Sequence, residues 1–229
     1  MTTTAGDHIW LTDLAKILPS SVHLDGFDID PSQAAPKAWL PANVAVHGLD
    51  CLQPFPKNLQ EQYDIVHIQL FILAIANRDP EPIVKNMISL LSGYITWGEY
   101  DYKTWQVIST RPEPPHELDA LASYVGTLGN TRSTSWTADH WPARLPQMFT
   151  NAGLIDIIED RHPFPMESIP SQLDVSMVVT TEFTYNVLDN LGGGQGDIAR
   201  DMIQKISLDR QNTGVNYDRL TVVGRKPLR

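Results

Sequence analysis

Apolar positions in the first hundred residues recur with two periods, and the two alternate along the chain. Ile9-Trp10-Leu11, Leu14-Ala15 and Ile17-Leu18 repeat at helical spacing, and Pro19 ends the run. Residues 22–28 then read as a strand and 44–47 as a short one, with an extended proline-bearing loop between them. Residues 63–69 form the clearest strand, apolar on both faces as central parallel strands are. A helix is predicted over 80–91, with proline in its first turn and Gly93 near its end, followed by a strand over 94–99. Helices and strands alternating at this spacing predict an α/β fold built on a mostly parallel sheet.

The pattern changes after Asp101. Residues 111–115 are a proline-rich loop, and helices are predicted over 116–128 and 140–153. A strand over 154–159 precedes a helical pair, 173–191 and 197–208, joined through the glycine-rich run 192–196. A strand over 219–224 closes the chain. The expectation is a single domain over 1–229 in which helical insertions, 102–150 and 162–215, form a lid over the sheet.

Composition narrows the chemistry. With 42% hydrophobic and 19% charged residues, the 229-residue chain is ordinary globular material and long enough to bury a sizeable core. Its 17 Lys+Arg against 27 Asp+Glu give a net charge of −10, with no basic block to receive nucleic acid or an anionic membrane. Cys51 is the lone cysteine, which excludes an internal disulfide framework and a cysteine-based zinc cluster. No apolar run reaches the ~18 residues of a membrane span, and the first residues lack the pattern of a signal peptide. The seven histidines contain no His-x-x-x-His pair, so no metal site is expected. These bounds describe a cytoplasmic protein that works on a small molecule or a protein partner.

In open α/β sheets, ligands bind outside the carboxyl ends of the strands. Asp28 ends one predicted strand, Asp50 follows the next, Gln69 ends the strongest, and Glu99-Tyr100-Asp101 ends the fourth. A carboxylate at a strand end can accept from both ribose hydroxyls of a nucleoside. Asp28 lies 28 − 6 = 22 residues after Gly6, close to the spacing that sets such a carboxylate opposite a glycine turn. Asp50 would then accept from an adenine amino group. Both have plainer readings as well, Asp28 within a turn and Asp50 as the cap of the turn that follows it.

Four pieces stand in order along the chain: Ile9-Trp10-Leu11 with Asp13, Gly26-Phe27-Asp28-Ile29-Asp30-Pro31, Tyr63-Asp64-Ile65-Val66-His67, and the stretch from Gly93 to Asp101. In these the chain resembles the class I S-adenosylmethionine-dependent methyltransferases, and among them the fungal secondary-metabolism type. A closing Val222-Val223-Gly224-Arg225-Lys226-Pro227 run agrees. The resemblance implies a Rossmann-like sheet with a helical lid and a shortened first strand, and S-adenosylmethionine as cofactor. It also implies a cofactor-binding set of Gly6, Asp28, Ile29, Asp50, Cys51 and Gln69. Where the family has a run of three glycines, this chain has Thr4-Ala5-Gly6-Asp7-His8 and keeps only the middle one.

Three explanations stand at this point: a methyltransferase with an unusual loop, a shortened gene product, or the same fold serving without methyl transfer, as a cyclase-like enzyme or a non-catalytic partner. The first is the reading adopted, with a small-molecule substrate and a second copy of the chain as a candidate partner. Methyl transfer needs alignment and, for an acceptor that carries a proton, a base. His140 is the candidate catalytic residue. Gln69 could face the methyl group, His67 is expected in the core, and Trp97, Tyr100, Trp136 and Trp141 could line an aromatic pocket.

Overall fold

The structure is a computed structural model that describes residues 2–3, 9–75, 79–112, 117–131 and 140–227. In chain order the strands are β1 (Thr2–Thr3), β2 (Leu24–Asp28), β3 (Val44–Gly48), β4 (Tyr63–Gln69), β5 (Leu91–Ser109), β6 (Ile155–Pro163) and β7 (Thr213–Arg225). The helices are α1 (Ile9–Ile17), α2 (Ile72–Ile75), α3 (Pro80–Ser89), α4 (Glu117–Thr131), α5 (Leu145–Asn151), α6 (Ile169–Phe183), α7 (Asp189–Leu191) and α8 (Gln195–Leu208), with a π turn over Thr184–Leu188 linking α6 to α7. The strands form one seven-stranded sheet in the order β3-β2-β1-β4-β5-β7-β6. Strands β3, β2, β1, β4 and β5 are parallel neighbours in that order. Lys226 donates to Gly93 O while Thr221 lies beside Gly98, so β7 runs antiparallel to β5.

The chain divides into two compact units. The first comprises 1–99, 141–160 and 220–229, and the second 100–140 and 161–219. Residues 141–150, expected in the helical insertion, fall in the first unit.

Within the first unit, the helical period of α1 buries Leu11 against Leu24 and Val44, with Trp10, Leu14 and Leu18 packed around them. Asp79 caps α3 by accepting from Glu81 N at 3.0 Å, Pro80 opens the helix, and Ile83, Val84 and Met87 are its buried face. Glycine is required at Gly93: β5 carries an extra residue between the pairs Tyr63–Leu91 and Ile65–Tyr94, and a Cβ at Gly93 would sit 2.4 Å from Asp64 O.

Within the second unit, Leu118, Leu121, Phe164, Ile169, Leu173, Ile206, Val215 and Tyr217 form the core. Gly192, Gly193 and Gly194 all have positive φ, near 70°, and connect α7 to α8. Strand β5 extends well past the predicted 94–99, and β7 begins six residues before the predicted 219. No helix among the described residues is long and apolar enough to cross a membrane.

Candidate active site

The strand order reverses between β1 and β4, because the chain passes from β1 outward through β2 and β3 and returns to β4 on the other side. Crevices at such a reversal, at the carboxyl edge of the sheet, are where open α/β folds bind ligands. Asp28 ends β2 beside it, and its partner in register is Gly48 at the end of β3. Asp28 Oδ1 accepts from Asp30 N at 2.9 Å, and among the described residues its second oxygen has no protein donor. Asp28 O accepts from Leu49 N at 2.8 Å, which joins the two strand ends. Asp50 follows in the next turn, with Oδ1 accepting from Leu52 N at 2.9 Å.

The structure brings Asp28, Asp50 and Cys51 together. Burial pushes the Cys51 thiol up to about 11, and the negative charges of Asp50 and Asp28 add to the rise. Ile29 is 72% exposed, an apolar side chain left uncovered next to Asp28. Gln69 lies at the end of β4, across the strand reversal from β2. His67, half-buried, stacks on Trp10 with ring centroids 4.1 Å apart, and burial lowers its pKa. Gly6 lies outside the described residues.

His140 belongs to the second unit, where Asp101 of β5 holds it. Its Nε2 is 2.9 Å from Asp101 Oδ1, and the side chains are 1% and 6% exposed. Arg161 of β6 pairs with Asp101 Oδ2 and reaches within 4.0 Å of Asp218, and the Tyr102 ring stands edge-on to the imidazole. A buried carboxylate this close to an imidazole is a ready partner for the charge that forms when a general base takes up a proton. Among the described residues, no three His, Cys, Asp or Glu side chains group as metal ligands.

Sequence reasoning set Glu99 and Asp101 at a strand end and gave neither a role. Asp101 is His140's partner, and Glu99 is 2% exposed and bonded to the turn after β4. The available signal was their spacing: Trp97, Glu99 and Asp101 alternate along one strand, so a buried face carries two carboxyls. The proposed aromatic pocket is not one open cluster. Trp97 and Trp141 are fully buried against each other, 5.7 Å apart, while Tyr100 packs on Tyr217 in the second unit. Trp136 lies outside the described residues.

The acceptor set at the carboxyl edge fits a nucleoside, whose hydroxyl and amino groups are donors, and therefore fits the nucleoside part of S-adenosylmethionine. Comparison with known proteins agrees with that chemistry. No protein-family model matches the chain. It is similar to the methyltransferase grgD of a Penicillium species, 34% identical over 109 residues, 44% of this chain and 38% of that one. It is likewise similar to the N-methyltransferase tcpN of Claviceps purpurea, 34% identical over 156 residues, 66% of this chain and 52% of that one. The chain thus spans about half the length, or less, of these curated relatives. Among solved structures it resembles phosphoethanolamine N-methyltransferase 2 of Haemonchus contortus in complex with S-adenosylhomocysteine, with a TM-score of 0.52 at 12% identity over 99% of this chain and 48% of that one. By its sheet order and its likeness to solved structures, the chain has the Rossmann-like α/β fold of the class I methyltransferases, and its sequence relatives are methyltransferases.

Proposed function

We propose that the chain is an S-adenosylmethionine-dependent methyltransferase acting on a small molecule, with the first unit as its cofactor-binding part. The observation that carries this reading is the pair of carboxylates, Asp28 and Asp50, at adjoining strand ends beside the strand reversal. Asp28 accepts from the ribose hydroxyls and Asp50 from the adenine amino group. Ile29 offers its exposed apolar face to the base, and Cys51 closes the edge between the two carboxylates. Gln69 faces the reacting groups from the end of β4.

The bound cofactor supplies an electrophilic methyl group on a sulfonium sulfur. The chain's own work is to hold the nucleoside, align an acceptor and remove a proton where the acceptor carries one. His140, paired with Asp101, is the base. The names of the sequence relatives support the activity, and the S-adenosylhomocysteine in the Haemonchus enzyme supports the cofactor. No described feature favours a non-methylating protein.

Calorimetric titration with S-adenosylmethionine and S-adenosylhomocysteine tests the reading. Micromolar binding, about −8 kcal/mol, is expected. Asp28→Asn should weaken it by about tenfold or more, about 1.4 kcal/mol, with the circular dichroism unchanged. His140→Gln should keep the affinity and lose turnover. Absence of heat from a folded wild type up to millimolar ligand would overturn the proposal.

A further inference from the structure

The turn that leaves β4 carries unusual backbone. Leu70, directly after Gln69, has φ of 53°, a left-handed conformation that non-glycine residues rarely adopt, and Leu70 N donates to Gly98 O at 2.9 Å. Phe71 and Ile72 follow, and their N–H groups open α2 with no acceptor inside the helix. Glu99 supplies it. Its Oε1 accepts from Phe71 N at 2.7 Å and from Trp97 Nε1 at 2.8 Å, and its Oε2 stands 3.4 Å from Ile72 N. Around this carboxyl stand rings, not charges: Phe71 and Trp141 both pack edge-on to Trp97. A carboxyl 2% exposed and bound to three donors without a counter-ion costs burial free energy, which its hold on the turn has to offset.

We propose that Glu99 is a positioning residue of the site at the carboxyl edge: by joining Phe71 N, Ile72 N and the Trp97 indole it fixes the left-handed turn at Leu70 and thereby the place of Gln69. The role of Gln69 rests on the methyltransferase reading; the hold on the turn does not. Burial lifts the Glu99 carboxyl to about 7, and the groups facing it are two backbone N–H donors and one indole, with no charged side chain contributing to the shift. A proton on Oε2 leaves Oε1 accepting both short bonds, so the neutral acid keeps the turn in place. Glutamine, the neutral isostere, should do the same. Alanine should not, since it leaves all three donors without an acceptor.

Amide and indole resonances of the ¹⁵N-labelled full chain, followed from pH 5.5 to 8.5, test this together with S-adenosylhomocysteine titration of Glu99→Gln and Glu99→Ala. In the wild type, the Phe71 and Ile72 amides and the Trp97 indole should titrate together with one midpoint near 7. Glu99→Gln should abolish that titration, keep the exchange protection of the Phe71 amide and the Trp97 indole, which share Oε1, and retain wild-type affinity. Glu99→Ala should lose the protection and bind about tenfold more weakly or worse. Independent titration of the three groups, or loss of protection in Glu99→Gln, would overturn the proposal even if Glu99→Ala fails to fold. Wild-type-like affinity and protection in a folded Glu99→Ala would also overturn it. A wild type that binds no cofactor would count against the methyltransferase reading alone, because the resonances still decide the role of Glu99 at the turn.

Discussion

Asp28, Asp50, Glu99 and Asp101 share a functional group and differ in which donors reach it. Asp28 and Asp50 each commit one oxygen to a local turn, Glu99 meets only neutral donors, and Asp101 is shared by His140 and Arg161. The same surroundings govern Cys51, whose thiol is held protonated by burial and two neighbouring carboxylates. At pH 8 we expect iodoacetamide to alkylate native Cys51 on the order of 100-fold more slowly than the unfolded chain, measured by mass spectrometry. Equal rates would show an accessible thiolate. Asp28 and Asp50 were legible in the sequence because strand period alone sets Asp28 at the end of one strand and Asp50 just after the next. The partners of Glu99 and Asp101 were not, because the contacts join residues 28 and 60 positions apart, a distance that period cannot reach.

At the level of elements, strands with a simple apolar period were legible and those with mixed chemistry were not. Tyr63–Gln69 matched its prediction, whereas β5 runs on to Ser109 through Asp101 and Lys103, whose charges read as the end of a strand. In the structure Asp101 is buried and ion-paired, so its charge does not break the ladder. The helix starts at Glu117 and Gln195 were close to prediction, since both follow loop signals, but α6 begins at Ile169 through a proline-bearing first turn that the prediction placed outside it. The bulge at Gly93 makes a sharp prediction. Gly93→Ala drives a Cβ against the Asp64 carbonyl, so it should lower stability by about 3 kcal/mol in denaturant unfolding. A loss below about 1 kcal/mol would show that the β4–β5 pairing can shift to admit the methyl group.

For the molecule as a whole, Glu99 gives stability an unusual pH slope. Its carboxyl is raised from 4.5 to about 7 on folding, so the folded state holds a proton that the unfolded chain has released. The sign follows: this contribution is fully present below about 4.5 and is lost as pH rises through about 7, amounting to about 3 kcal/mol at most. Glu99→Gln should therefore gain stability relative to wild type between pH 5 and pH 8 in urea titrations, and parallel curves would contradict the assignment. The α/β class was legible at this scale because alternation of periods reports it directly, whereas the shortened first strand was implied by the resemblance. The division into two units was not legible, since it depends on which distant segments pack together: residues 141–160 return to the first unit after the segment 100–140 spent in the second.

The three left-handed glycines between α7 and α8 carry a consequence about handedness itself. A Cβ at Gly192 or Gly194 would meet nothing within 4 Å, so space is not what excludes a side chain there. With φ of 72° at both positions, the obstacle is the chirality of the ordinary amino acids. A mirror-image residue has its allowed region where these glycines sit. Placed at Gly194 by chemical ligation, D-alanine should raise the melting temperature by restricting the unfolded chain, a gain of about 0.4–1 kcal/mol, whereas L-alanine at the same position should lower it.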